Sequence, residues 1–204
     1  VETEPPPSPP TPHSIQDAAL VALASTRVDG NAAGLVVLAT GLGKTWLAAF
    51  DVERTGAKRV LFVAHREEIL RQARDTFRLI RPKARLGLYT GTEKVPDADV
   101  LFASVQTLGR SRNLQRFSPQ AFDYIIVDEF HHAAAPTYRR ILDHFQPGFL
   151  LGLTATPERT NGGDLLALCG ENLVCRHDLL DGINAKLLAP FHYFGIADDI
   201  DYAQ

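Results

Sequence analysis

Five short, almost purely apolar runs separated by longer helix-forming stretches constrain this chain more than any other feature. The runs are 34–40 (GLVVLAT), 59–64 (RVLFVA), 99–104 (DVLFAS), 122–127 (FDYIIV) and 148–153 (GFLLGL). Their near-continuous hydrophobicity predicts strands covered on both faces. Between them, 44–54, 67–80 and 137–145 carry helix formers at helical spacing, and 85–89 predicts a further short strand. Buried strands alternating with helices are the pattern of parallel strands joined by crossovers. The expected fold class is α/β, a three-layer α/β/α sandwich around a mostly parallel sheet, with ligands at the carboxyl ends of the strands.

The chain has 204 residues, 45% of them apolar, which is enough for one domain with a full core, or one large and one very small. Lys and Arg number 21 against 24 Asp and Glu, for a formal charge of -3. A nucleic-acid site must therefore be a local patch on a mildly acidic body. No apolar run reaches the roughly 18 to 20 residues of a bilayer span, and the chain start is not basic then apolar, which argues against membrane and secreted classes. The two cysteines, Cys169 and Cys175, are too few for a disulfide framework, so a reducing, cytoplasmic setting is expected. Six of the 13 prolines fall in residues 1–12, which predicts a linker or tail. The absence of Met and the start at Val1 fit a processed chain or a piece of a longer polypeptide, and composition leaves both open.

The first strong strand runs straight into Thr40-Gly41-Leu42-Gly43-Lys44-Thr45 and then a helical segment beginning with Trp46. Two glycines let backbone N–H groups approach phosphate oxygens, and a helix start adds favourable partial charge. Lys44 can reach the β and γ phosphates and Thr45 can ligate Mg²⁺. The full phosphate-loop pattern asks for Gly where this chain has Leu38, so the match is to its tighter G-x-G-K-T core. A second signal follows at 124–129, where a buried apolar run ends in two carboxylates. That order puts Asp128 at the carboxyl end of the sheet, positioned to hold Mg²⁺ near Thr45, and Glu129 where it can polarise an attacking water.

The acidic pair continues as Asp128-Glu129-Phe130-His131, and Thr154-Ala155-Thr156-Pro157 ends the next strand. With these motifs the chain resembles the superfamily two DExH-box helicases and translocases, in the flavour of the type III restriction enzyme motor subunit. The resemblance covers about residues 13–195 and implies the first RecA-like, P-loop NTPase lobe of such a motor, with 196–204 beginning the connection to a second lobe. It implies ATP and Mg²⁺ as nucleotide and cofactor. Motif I falls on Thr40, Gly41, Gly43, Lys44 and Thr45, with Leu42 and Trp46 adjoining, and motif II falls on Asp128, Glu129 and His131. His131, Thr154 and Thr156 are implied to couple hydrolysis to the nucleic-acid track.

Motif Ia corresponds to Val63-Ala64-His65-Arg66 and motif Ib to 103–108, so the resemblance implies that His65, Arg66, Ser104, Gln106 and Thr107 face a nucleic-acid backbone, with Gly91 on a neighbouring loop. Gln16 stands where relatives carry an adenine-reading glutamine. Here the chain departs from the family, reading His13-Ser14-Ile15-Gln16 instead of Arg-Pro-x-Gln, with no aromatic beside it, which leaves other nucleoside triphosphates open. The partner implied is duplex DNA, together with the second RecA-like lobe and an upstream nuclease-like domain. Two alternatives remain: an RNA helicase on the same fold, and a nucleotide-gated binding module with little turnover. A lobe without the other's arginine finger is expected to turn over slowly.

Weaker signals have plainer readings. Arg71, Arg74 and Arg78 recur at helical spacing and with Arg66, Arg81 and Arg85 could form a basic stripe, and Arg110, Arg112 and Arg116 cluster after motif Ib; DNA contact is the alternative for both groups and a solvated face the favoured reading. Cys169, Cys175 and His177 have a spacing that fits no common zinc pattern, even with the distant His192 added.

Overall fold

The computed structural model describes residues 10–130, 135–155 and 166–190. In chain order the elements are α1 (Ser14–Val28), β1 (Ala33–Leu38), α2 (Lys44–Thr55), β2 (Val60–Ala64), α3 (Glu67–Ile80), β3 (Leu86–Tyr89), β4 (Val100–Ser104), α4 (Val105–Leu108), α5 (Ser111–Leu114), β5 (Tyr124–Val127), α6 (Pro136–His144), β6 (Phe149–Thr154), β7 (Leu173–His177) and α7 (Leu179–Asn184). The strands form one seven-stranded sheet in the order β3-β4-β2-β5-β6-β1-β7, every pairing parallel. This is the α/β sandwich that the alternation of apolar runs and helices predicts.

Why the runs are apolar throughout is visible in how successive residues divide. Val36 and Leu38 of β1 and Phe62 of β2 pack with α1, α2 and α3 on one face of the sheet. Leu35, Val37, Leu61 and Val63 point to the other face, where α4 and α6 contribute Leu108, Tyr138 and Ile141. A period of two therefore fills two cores at once, and each fully buried Leu, Val or Phe side chain contributes roughly 1.5–3 kcal/mol. α3 shows the complementary pattern, burying Leu70, Ala73 and Phe77 along one stripe, with Glu67 and Glu68 in its first turn and Arg78 in its last. The rings of Phe62, Phe77 and Phe102 meet with centroids 5.3–6.1 Å apart, locking α3 across β2 and β4.

Two elements escape the sequence pattern. α1 buries Ile15, Ala19, Leu20 and Leu23, yet leaves Val21 and Val28 at 66% and 86% exposure, so its apolar residues do not trace one clean stripe. β7 is a half-exposed edge strand containing Arg176 and His177, and only its long-range pairing with β1 defines it. It turns β1 from an edge into an interior strand. Residues 191–195, the end of the stretch that the family resemblance covers, lie outside the described residues. Among the described residues no helix is long and apolar enough to cross a membrane.

A parallel sheet puts all carboxyl ends on one edge. The register Val63↔Val127, Ala64↔Ser104, Val127↔Gly152 and Val37↔Thr154 brings the ends of β1, β2, β4, β5 and β6 level there. The opposite edge holds a buried polar cluster: the Arg27 guanidinium donates to both Asp51 carboxylate oxygens at 2.6 and 2.9 Å, and the Tyr124 hydroxyl donates to the same carboxylate. Arg27 also lies 4.8 Å from the ring centroid of Phe149, so the cluster pins α1, α2, β5 and β6 together.

Candidate nucleotide-binding site

β1 ends at Leu38, and Ala39 to Gly43 turn the chain into α2. The turn depends on Gly41 at φ +91° and Gly43 at φ +71°, both in the left-handed region. Gly43 is also a close approach, since a Cβ there would stand 2.5 Å from Gln16 Nε2. Gly43→Ala should lower stability by about 1–2 kcal/mol through the left-handed backbone alone and disturb the packing of Gln16 on the loop. Denaturant unfolding checks this, and a wild-type midpoint would show that the loop does not depend on this glycine.

Three contacts brace the loop from outside it. The Ala39 N–H donates to the His177 carbonyl at 3.0 Å, Leu42 is fully buried, and Leu188 approaches Gly41 closely enough that a Cβ there would lie 2.9 Å from it. β7 and the segment after α7 thus support the loop, a role that no motif in the sequence announces.

Lys44 begins α2 and is partly buried, with Nζ donating to the Leu38 carbonyl at 3.1 Å. Burial holds its amine below the ordinary lysine value, and the charges of Asp128 and Glu129 pull it back up. Asp128 leaves the end of β5 at 7% exposure, its N–H bonded to the Val63 carbonyl at 2.9 Å. Burial raises its carboxyl above the usual range, while the Glu129 N–H, 3.0 Å from Oδ1, and Lys44 oppose the rise. Glu129 itself has φ +52°, a left-handed conformation that costs a non-glycine residue about 1–3 kcal/mol and collects at functional sites.

Gln16 is 4% exposed and tied to the loop, its Nε2 donating to the Gly43 carbonyl at 3.1 Å and its Oε1 accepting from the His13 N–H at 3.1 Å. The His13 ring in turn accepts from the Gln16 N–H, so the two residues form the N-terminal cap of α1. Beside them lies a cavity of about 270 Å³ lined by Pro10, His13, Gln16, Gly43, Trp46 and Phe50. The aromatic surface absent next to Gln16 in sequence is supplied by α2, whose Trp46 and Phe50 rings lie 6.0 Å apart.

The remaining candidates divide by exposure. His65, Arg66, Gly91 and Gln106 are exposed, and Gln106 Nε2 lies 2.9 Å from the His65 ring, joining the loops after β2 and β4. The Gly91 N–H donates to Glu67 Oε1 at 3.3 Å. Ser104 and Thr107 are buried, at 3% and 5% exposure, so little of either reaches solvent. Thr40 is exposed beside the loop and Thr45 partly buried at the start of α2. Thr154 is fully buried at the end of β6, whereas His131 and Thr156 lie outside the described residues. Sequence reading missed Tyr138 of α6, which is 3% exposed and whose hydroxyl has no hydrogen-bond partner among the described residues. Burial raises its phenol, and Glu129 and Asp128 add to the rise, so it sits within electrostatic reach of both carboxylates.

Among the described residues no cluster of three His, Cys, Asp or Glu side chains could hold a metal ion. Cys169 and Cys175 behave as buried thiols, pushed up to about 12 and about 11 by desolvation. The side-chain oxygens at this edge are the carboxylates of Asp128 and Glu129 and the hydroxyls of Thr40 and Thr45. That hard and sparse set suits Mg²⁺, which binds through one or two protein oxygens and takes its other ligands from phosphates and water.

Comparison with known proteins follows the same lines. The family described as Type III restriction enzyme, res subunit, matches residues 10–159. A Saccharomyces cerevisiae protein that carries the name of an ATP-dependent helicase, IRC3, is 32% identical over 183 residues, covering 81% of this chain and 26% of that protein. The DNA 3'-5' helicase XPB of Mycobacterium tuberculosis is 31% identical over 144 residues, covering 67% of this chain and 26% of that one. The chain thus spans about a quarter of the length of these relatives. Among solved structures, a nuclease-deletion mutant of the Type ISP restriction-modification enzyme LlaGI with a DNA substrate mimic superimposes with a TM-score of 0.69 at 16% identity, covering 87% of this chain and 21% of that one. At that identity the likeness concerns the fold.

Proposed function

Because the chain belongs to the type III restriction enzyme res subunit family, we propose that it is the nucleotide-binding lobe of an ATP-dependent helicase or translocase that acts on DNA. The observation that carries the reading is the meeting of a left-handed glycine loop, a desolvated lysine and two carboxylates at one edge of a parallel sheet. Loop N–H groups and the start of α2 would cradle the ATP phosphates, with Lys44 on the β and γ oxygens. Thr45 and Asp128 would hold Mg²⁺, whose charge offsets that of the phosphates. Glu129 would accept a hydrogen bond from the attacking water and orient it in line, its strained backbone fixing the direction of the carboxylate. Trp46, Phe50 and Gln16 would bound the base. The exposed pair His65 and Gln106, with Arg66 and Gly91, would meet a DNA backbone on the loops that adjoin this edge.

DNA is favoured as substrate by the DNA helicase name of the XPB relative. Since this chain spans only a quarter of such proteins, full turnover would need a second lobe, whose arginine finger is worth about 10³ to 10⁵ in rate. ATP turnover should be measured on the two-lobe polypeptide with duplex DNA, single-stranded DNA and RNA in turn. Duplex DNA should stimulate most; stimulation by RNA alone would make it an RNA helicase, and ATP binding without stimulation would make it a nucleotide-gated module. Glu129→Gln should retain ATP affinity and lose at least ~10²-fold in turnover, the scale of general-base catalysis. Wild-type turnover in that variant would remove Glu129 from this role.

A further inference from the structure

Among the described residues seven arginines, Arg27, Arg54, Arg59, Arg71, Arg74, Arg81 and Arg85, have a carboxylate within ion-pair distance. At the amino-terminal edge of the sheet, Arg81 meets Glu53 at 3.1 Å and Arg85 meets Asp97 and Asp99 at 3.0 and 2.8 Å. On α3, Arg71 lies 3.9 Å from Glu93 and Arg74 lies 3.3 Å from Asp75, so the arginine stripe seen in the sequence is largely self-compensated. Arg66 and Arg78 have no carboxylate within that distance, but they stand singly at the two ends of α3, whereas the flank formed by α5 and α6 gathers several such arginines. Arg110, Arg112, Arg116, Arg139 and Arg140 are all exposed there, and among the described residues none has a carboxylate within ion-pair distance.

Three of these arginines, Arg110, Arg139 and Arg140, border two adjoining cavities. One, of about 670 Å³, lies between α5 and α6 and includes Ser111, Gln115, Arg139 and Arg140 in its wall, with Asp143 as its single carboxylate. The other, of about 380 Å³, includes Arg110 and Arg140 together with His65 and Gln106, and no carboxylate. Arg140 stands in both walls, fixed by a 2.7 Å hydrogen bond from Nη1 to the Gly109 carbonyl. Tyr138, whose hydroxyl has no hydrogen-bond partner among the described residues, lines the second. The positive flank is therefore continuous with the His65–Gln106 loops.

We propose that this α5–α6 flank is a second nucleic-acid surface, which binds the phosphate backbone of a duplex beyond the motif loops. Three features select this occupant. The cations are all arginines, whose planar forks pair with phosphate oxygens in a bidentate way. They form a local excess on a chain of net charge -3, where a general positive field is absent. They adjoin the edge to which the proposed function assigns the DNA, and the flank rests on that reading for the identity of its ligand.

The test is binding of a labelled mixed-sequence DNA duplex, followed by anisotropy between ~50 and ~200 mM salt. Arg110→Gln with Arg139→Gln removes two flank charges whose side chains make no hydrogen bond among the described residues. Lys58→Gln with Lys83→Gln removes two from the opposite edge, and Gln106→Ala probes the motif loops without removing a charge. The flank variant should lose about tenfold or more in affinity at ~100 mM salt, with the salt slope smaller by about two, while the opposite-edge variant binds as wild type. Unchanged nucleotide affinity and circular dichroism would exclude misfolding as the cause. Loss in Gln106→Ala without loss in the flank variant overturns the flank and leaves the motif loops standing. No duplex binding by the wild-type protein overturns both. Binding of polyglutamate that depends on the flank, with duplex affinity unaffected, would make the partner an acidic protein segment and overturn the proposal.

Discussion

Asp51→Ala should destabilise the protein by about 3–5 kcal/mol, the scale of a buried ion pair broken from one side. Asp51 is 1% exposed within α2, and its carboxylate receives both arms of Arg27 and the Tyr124 hydroxyl. Removing it leaves a guanidinium with 22% side-chain exposure and a fully buried phenol without their acceptor, and both must then be solvated poorly or exposed. Domains have only about 5–15 kcal/mol in total, so the variant should unfold at a much lower denaturant concentration. The triple change Asp51→Leu, Arg27→Met and Tyr124→Phe should recover most of the loss, because apolar groups of similar size need no partner. Urea unfolding decides it: a single variant within ~0.5 kcal/mol of wild type would mean that the cluster contributes little, as many ion pairs do. The cluster lies at the edge of the sheet opposite the phosphate loop, so nucleotide affinity in the remaining folded fraction should be unchanged.

Lys44→Ala should have the opposite profile, with stability nearly intact and nucleotide binding lost. The ammonium is partly desolvated and held against the Leu38 carbonyl at the start of α2, so its attraction to a phosphate is less screened than that of a surface lysine. One or two charge-assisted hydrogen bonds at about 1.5–3 kcal/mol each predict a fall in affinity of about 10²-fold or more. Lys44→Ala also removes a charge that opposes the rise of the Asp128 carboxyl, so Asp128 should titrate higher still. Titration with a fluorescent ATP analogue reads the affinity directly, and an unchanged dissociation constant would falsify the assignment of the loop as the phosphate site. The contrast between the two variants separates the end of the sheet that holds the fold from the end that holds the ligand.

Much of the candidate site was legible because local rules carry it. A loop that must bring backbone N–H groups to phosphate needs residues tolerant of left-handed φ, and Gly41 and Gly43 adopt it. An apolar strand followed at once by two carboxylates can only deliver Asp128 and Glu129 to the carboxyl end of a parallel sheet. Gln16 was legible by position, but its bond to the loop was not, since it joins residues 27 positions apart and depends on how α1 packs.

The sequence by itself determined six of the seven strands, the two-sided burial of the five apolar runs and the order of the chemical groups along the chain, because hydrophobic period and glycine freedom are local properties. It also determined the family, since the motifs are contiguous words. Only the tertiary structure decided what lies beside what. β7 pairs with β1 through residues separated by more than a hundred positions, and its half-polar composition gives no local sign of a strand. Trp46 and Phe50 reach the cavity beside Gln16 because α2 packs against α1. Arg110 and Arg139 belong to one surface because α5 and α6 cover the same face of the sheet, and among the described residues no carboxylate lies within ion-pair distance of either. Charge and contact are properties of assembled space, and a linear pattern holds them only where the two ends of a contact are neighbours in the chain.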